Sequence, residues 1–263
     1  MKLRIIALVC VFALPMEPLR ADFDGGYRAY ERGDFAHAMT QWRTAAASGD
    51  PRAQYNIGIM FAEGRGVSRD PRRAITWWKQ AAEQGHVQAQ HNLGLAYVAG
   101  EGGVQDYGVA KQWFERAAKA NFPNAQYSLA KLYQLGLGVE PNDTKAVSLF
   151  RSAAEAGFAN AAYNLAKAYR DGLGTEANLE EAIRWFGAAA QAGYAKAQRN
   201  LASRFARGDG VARDDVEAFK WASLAASQGV DASAALRDQL NGRMSAEDRQ
   251  KADALIAQFR AAE

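Results

Sequence analysis

Ser128-Leu129-Ala130-Lys131 sets a hydroxyl and an amine one helical turn apart, the spacing with which a lysine can assist a serine nucleophile. The same four slots one unit later read Asn164-Leu165-Ala166-Lys167, and no Lys-Thr-Gly follows. The quartet is therefore a recurring pattern with a serine substituted into it. Gly64-x-Gly66 and its counterparts invite comparison with phosphate-cradling loops. A dinucleotide site needs a third glycine between a strand and a helix, and a P-loop needs Gly-Lys followed by Ser or Thr. Neither is present. The histidines are His37, His86 and His91. His86 and His91 stand five apart, about 140° around a helix, and no His-Glu-x-x-His occurs. Carboxylates are plentiful, but no spacing isolates an acid/base pair. The expectation is a protein with no catalytic site, no metal centre and no cofactor.

What positions these residues is a repeat. Asp50–Gly85, His86–Asn121, Phe122–Gly157, Phe158–Gly193 and Tyr194–Gly229 align in register at 36 residues each. The fourth slot is always alanine (Ala53, Ala89, Ala125, Ala161, Ala197). The eighth is aliphatic (Ile57, Leu93, Leu129, Leu165, Leu201), and the twelfth aromatic (Phe61, Tyr97, Tyr133, Tyr169, Phe205). Two glycine columns follow, from Gly64 to Gly208 and from Gly66 to Gly210. Then come an alanine column from Ala74 to Ala218 and a bulky pair such as Trp77-Trp78, Trp113-Phe114 or Trp185-Phe186. A self-similarity of this period announces a repeat architecture.

Each unit reads as two helices. Slots four, five, eight, nine and twelve share one face at helical periodicity, as do Ala74, Trp77, Trp78, Ala81 and Ala82 in the second half. The double-glycine segment is the turn between them, and Asp70, Asp106, Asn142, Asn178 and Asp214 are good N-caps for the second helix. Pro71 suits a first-turn position, and the closing glycine stops the helix. One unit cannot bury its own apolar face, so units must stack. Residues 22–49 read as a shorter N-terminal capping repeat, 50–229 as the five full repeats, and 230–263 as a C-terminal helical cap. About 14 helices are expected, in an all-α solenoid.

At these columns the chain resembles the Sel-one-like repeat family, a relative of the tetratricopeptide repeats. The match stands as Ala53…Ile57-Gly58…Phe61-x-x-Gly64-x-Gly66-Val67…Asp70…Ala74-x-x-Trp77…Ala81-Ala82…Gly85. Departures are local: Leu149 for tryptophan, Asn121 for the terminal glycine, Gly103 for valine. The resemblance implies a right-handed superhelix that binds other proteins, often as an adaptor at bacterial cell surfaces, and implies no catalysis. Some cysteine-rich members have been assigned β-lactam activity, which makes Ser128 worth weighing; their cysteine pairs are absent here. A peptidoglycan- or β-lactam-interacting envelope protein is the alternative reading. A fold alone names no partner.

The most informative column for binding is the sixth slot: Tyr55, His91, Tyr127, Tyr163 and Arg199. It lies roughly opposite the buried arc of the first helix, beside the tenth slot (Ile59, Leu95, Lys131, Lys167) and Arg170 in the thirteenth. In a tetratricopeptide-like solenoid this face lines the concave groove. Tyrosine and arginine dominate interface energetics, and the column turns from apolar to basic along the chain. These residues are the candidate groove for a protein or peptide partner with apolar and acidic parts. The asparagine-rich seventh slot (Asn56, Asn92, Ser128, Asn164, Asn200) is read instead as satisfying backbone groups in a neighbouring turn.

Residues 1–21 carry a basic head, an apolar run from Ile5 to Leu14 and a short polar exit ending at Ala21, the layout of a secretory signal peptide. The run is about half of a membrane span, so no membrane span is expected. The whole chain carries 32 Lys and Arg against 29 Asp and Glu. Removing Lys2, Arg4, Glu17 and Arg20 with that segment brings the balance close to neutral. No basic excess remains to suggest a nucleic-acid partner. Cys10, the single cysteine, falls in the same run, so the mature chain would have neither disulfides nor a thiolate site. The expected location is periplasmic or secreted, with cell-wall contact as a further partner to consider.

Overall fold

The computed structural model describes residues 23–103 and 105–261; the segment read as a signal peptide, and Cys10 with it, lies outside them. The chain divides into two compact units, 1–81 and 82–263. Among the described residues there are fourteen α-helices, one short 3-10 turn (Glu101–Gly103) and no strand.

In the first unit, α1 (Phe23–Glu31), α2 (Phe35–Ala47), α3 (Pro51–Glu63) and α4 (Pro71–Glu83, which runs past the boundary) form two helix pairs. Trp42 is almost fully buried, and its indole N–H donates to the Phe23 carbonyl at 3.2 Å. One repeat on, Trp78 donates to the Tyr55 carbonyl at the same distance. Each ring lies over a glycine: a Cβ on Gly26 would come within 2.5 Å of Trp42, and one on Gly58 within 2.4 Å of Trp78.

The second unit continues the alternation. Its first helices are α5 (Val87–Ala99), α7 (Pro123–Leu135), α9 (Ala159–Asp171) and α11 (Ala195–Arg207). Its second helices are α6 (Tyr107–Lys119), α8 (Asp143–Glu155), α10 (Leu179–Gln191) and α12 (Asp215–Ser227). It closes with α13 (Asp231–Asn241) and α14 (Ala246–Ala261). From α5 to α12 every α-helix has thirteen residues because every one is stopped by the same chemistry. First helices end at a left-handed glycine, as at Gly136 (φ 66°). Second helices begin at Asp106, Asn142, Asn178 and Asp214, whose side chains accept backbone N–H groups of the first turn.

The alanine columns form the inner surface. Ala89, Ala125, Ala161 and Ala197 are fully excluded from solvent, as are Ala110, Ala182 and Ala218. Phe114, Phe150 and Phe186 fill the space that these small side chains leave. The second glycine column has a role beyond turning. A Cβ on Gly174 would lie 2.3 Å from the carbonyl of Asp143, so the turn of one repeat rests directly on the start of the preceding repeat's second helix. Asn121, in the terminal-glycine slot, is the sole non-glycine residue with positive φ (57°) among those described. Asparagine tolerates that conformation better than most residues.

A glutamine column, absent from the sequence reading, also ties helices together. The side-chain amides of Gln90 and Gln198 are buried, and each donates at 3.1 Å to a carbonyl near the end of the preceding second helix, that of Ala82 or Ala190. Gln54 makes the same contact to Ala46 at 3.4 Å in the first unit.

Candidate functional site on the first-helix face

The sixth-slot side chains lie at different depths from repeat to repeat. In the second unit Tyr127 and Tyr163 are half-buried, each wedged between two aromatic rings. Tyr127 lies 5.7 Å from Phe150 and 5.3 Å from Phe158; Tyr163 lies 5.6 Å from Phe186 and 5.1 Å from Tyr194. Edge-to-face pairs such as Tyr127–Phe158 and Tyr163–Tyr194 stabilise beyond their buried area, and these two join successive repeats.

His91 sits deeper in the same column. Only 8% of its surface is exposed, and Phe114 and Phe122 flank it at 5.6 and 5.5 Å. This histidine, enclosed by the two rings, is a packing residue and not an open groove contact. Burial lowers its pKa from 6.5 to about 4. Arg199, the last member of the column, is exposed. In the first unit, Tyr55 and Ile59 are both half-buried on α3.

The seventh slot does not serve mainly the neighbouring turn. His91 Nε2 and Ser128 Oγ are 3.1 Å apart. One repeat on, Tyr127 hydrogen-bonds the Asn164 side chain, while Asn164 also donates to the carbonyl of Asn160 in its own helix at 2.7 Å. Slot six of one repeat thus meets slot seven of the next, twice in succession. This recurrence gives the Ser128–His91 contact a structural explanation. Lys131, the other half of the serine motif, donates instead to Gln134 at 2.7 Å.

The tenth and thirteenth slots carry the exposed chemistry. Leu95 is 44% exposed, an apolar residue held in solvent on α5. Leu135, at the end of α7, is 57% exposed and was not anticipated. Lys131 and Lys167 face each other closely enough that desolvation first, and the neighbouring ammonium second, lower the pKa of Lys131. Arg170 is already engaged: Asp171 accepts two hydrogen bonds from it at 2.7 and 2.8 Å, and this pairing holds the Asp171 carboxyl below its ordinary range. The groove cations of the sequence reading are therefore unequal: Arg170 is locally neutralised by Asp171, which Lys167 also acts on at longer range, and Lys131 faces Gln134.

Two adjoining concavities open on the same face. One, of about 370 Å³, is lined by Tyr163, Lys196, Arg199, Asn200, Ser203 and Arg207. The other, of about 410 Å³, shares Arg199, Ser203 and Arg207 and is closed by Leu236 and Gln239 of α13 and by Arg243 just past its end. The first places the predicted Tyr163 and Arg199 in one site. The second depends on α13 continuing the row of first helices, which the loss of the glycine columns after Gly229 concealed. Among the described residues no cluster of three or more His, Cys, Asp or Glu side chains suited to a metal exists, and no helix is long and apolar enough to cross a membrane.

The fold and this face define an all-α solenoid of helix–turn–helix repeats, the class of protein that presents a continuous helical surface to other molecules. The Sel1 repeat matches residues 51–86, 87–122, 123–158, 159–194 and 195–230, and the chain belongs to that family. A Sel1 repeat protein from Oxalobacter formigenes has a similar structure, with 29% identity and a TM-score of 0.79, over 92% of this chain and all of that one. The protein c5321 of uropathogenic Escherichia coli strains, a protective antigen with the same kind of fold, is 27% identical. Its TM-score is 0.59, over 91% of this chain and 60% of its own. An immunity protein of Pseudomonas aeruginosa, Pa5087, shares the fold at 20% identity and a TM-score of 0.51, over 82% of this chain and 84% of its own. No curated protein matches.

Proposed function

We propose that this protein is an exported, non-enzymatic scaffold. It docks a protein or peptide partner along the first-helix groove of repeats two to five, in the bacterial periplasm or outside the cell. The observation that carries this reading is the contrast between columns. The fourth slot is alanine and the eighth aliphatic in every repeat, whereas the tenth slot holds Leu95, Lys131, Lys167 and Ser203 in successive repeats of the second unit. Leu95 is exposed, and Lys131 and Lys167 are close together without an ion pair among the described residues. Two neighbouring lysines and, one repeat earlier in the same slot, an exposed leucine suit a segment with acidic and apolar side chains. The family relation supports a binding role, and the likeness to a protective antigen supports a location outside the cytoplasm.

The tyrosines are poor test positions, because Tyr127→Ala or Tyr163→Ala would also remove aromatic packing between repeats. Lys131→Glu with Lys167→Glu changes the charge of the face and leaves that packing in place. Immobilised wild-type protein should retain a partner from envelope extract that this variant loses, at unchanged helicity. Identical retention would refute the groove. Export is tested separately by sequencing the N-terminus of the mature protein; a chain that keeps residue 1 and stays in the cytoplasm would refute it.

A further inference from the structure

The fifth repeat departs from its predecessors at the face, not in the core. Its packing slots keep their types, with Ala197, Leu201 and Ala218 all buried. On the exposed side, slot six becomes Arg199 where tyrosine or histidine stood. Slot ten becomes Ser203 after two lysines, and slot fourteen becomes Arg207 after Leu135 and Asp171. The buried columns of the repeat demand none of these changes. Together they empty a space, through the small Ser203, and surround it with cations.

We infer that the paired concavities between α9, α11 and α13 form an acidic-peptide subsite, in which Arg199 and Arg207 hold side-chain carboxylates of the partner and Leu236 receives an adjacent apolar side chain. Lys196, Arg199, Arg207 and Arg243 ring the two spaces, and no carboxylate lines either one. Arg243 is tethered by Asp215 at 2.7 Å, and Arg207 donates to Ser203. Arg199 and Lys196 have no ion pair among the described residues. Guanidinium groups suit planar carboxylates because two N–H groups can meet both oxygens at once. The combined space falls within the ordinary range of ligand sites, and Gln239 at its rim can serve the peptide backbone. The subsite deepens the groove reading and rests on it, since it lies on the same face.

The test is fluorescence anisotropy with a labelled ten-residue peptide that carries a central leucine flanked on each side by two acidic residues. A control peptide has the corresponding amides. The acidic peptide should bind saturably to the full chain and weaken at least tenfold in the R199Q/R207Q double variant. It should weaken with added salt, and the amide peptide should bind at least tenfold more weakly. Both substituted residues are solvent-exposed, so circular dichroism should be unchanged. Equal binding of the two peptides would overturn the inference, as would full binding by R199Q/R207Q. The two readings fail separately. If partner capture is lost in K131E/K167E but no acidic peptide binds, the subsite falls and the groove stands. If the peptide binds through Arg199 and Arg207 while capture ignores Lys131 and Lys167, the groove falls and the subsite stands.

Discussion

His91 should make this protein lose stability on mild acidification, and replacing it with the repeat's own consensus residue should remove that loss. The imidazole is packed between Phe114 and Phe122 with Ser128 on Nε2. In the folded chain it titrates near 4, against 6.5 when exposed. The folded form therefore binds fewer protons than the unfolded form between those values, and stability falls as pH drops through that window. Above pH 6.5 the group is neutral in both states and contributes no pH dependence. Each pH unit within the window corresponds to about 1.4 kcal/mol, so descent from 6.5 to 4.5 should cost roughly 2–3 kcal/mol. His91→Tyr keeps an aromatic ring in a slot that already holds Tyr127 and Tyr163, and a phenol does not titrate there. Urea unfolding followed by circular dichroism at pH 7.5, 6.5, 5.5 and 4.5 gives the comparison. The difference between the two proteins should widen by those 2–3 kcal/mol, whatever their absolute stabilities. Parallel profiles, or an NMR titration of His91 near 6.5, would refute the claim that it is buried as a neutral base.

Three further substitutions read the packing directly. Gly174→Ala should destabilise by 2 kcal/mol or more in urea melts, since its Cβ meets the Asp143 carbonyl and φ is +71°. Gly187→Ala, in the interior of α10 with no atom within 4 Å of the new methyl, should instead stabilise by about 0.8–1 kcal/mol. Ala156→Gln should stabilise by about 1 kcal/mol. The Oε1 of Gln126 is buried without a partner, whereas the equivalent oxygen of Gln198 accepts from Gln228 at 2.9 Å, and Ala156 occupies the slot that Gln228 fills two repeats later.

The helices were legible because one physical requirement is written five times over. An Ala–Leu–aromatic stripe at helical spacing, a glycine that can end a helix and an Asp or Asn that can start one leave little freedom at each boundary. The depth of the sixth slot was not legible in the same way. Its angle around α7 or α9 points it away from the inner arc, but periodicity within one helix says nothing of what a neighbouring repeat brings against it. The partners were in the sequence as aromatic residues in slot one, Phe122, Phe158 and Tyr194, which the stacking of repeats turns toward the preceding tyrosine or histidine. The seventh slot was obscured for the same reason: some of its hydrogen bonds cross between repeats, as that of Asn164 with Tyr127 does.

This separation of local from cross-repeat information bears on where specificity resides. A slot that must pack on the adjoining repeat is held to one chemical type, as the buried fourth-slot alanines are. A slot outside the buried columns is freer to differ, and Leu95, Lys131, Lys167 and Ser203 do differ. The sixth slot lies between these cases. It is aromatic wherever a ring from the next repeat packs on it, and it becomes Arg199 where the next repeat begins with Val230 and offers no ring. The end of the aromatic ladder is thus what releases Arg199 into solvent. The basic concavity is a consequence of where regular stacking stops, and extending the array by one further consensus repeat after Gly229 should bury or displace the arginine that the ligand would need.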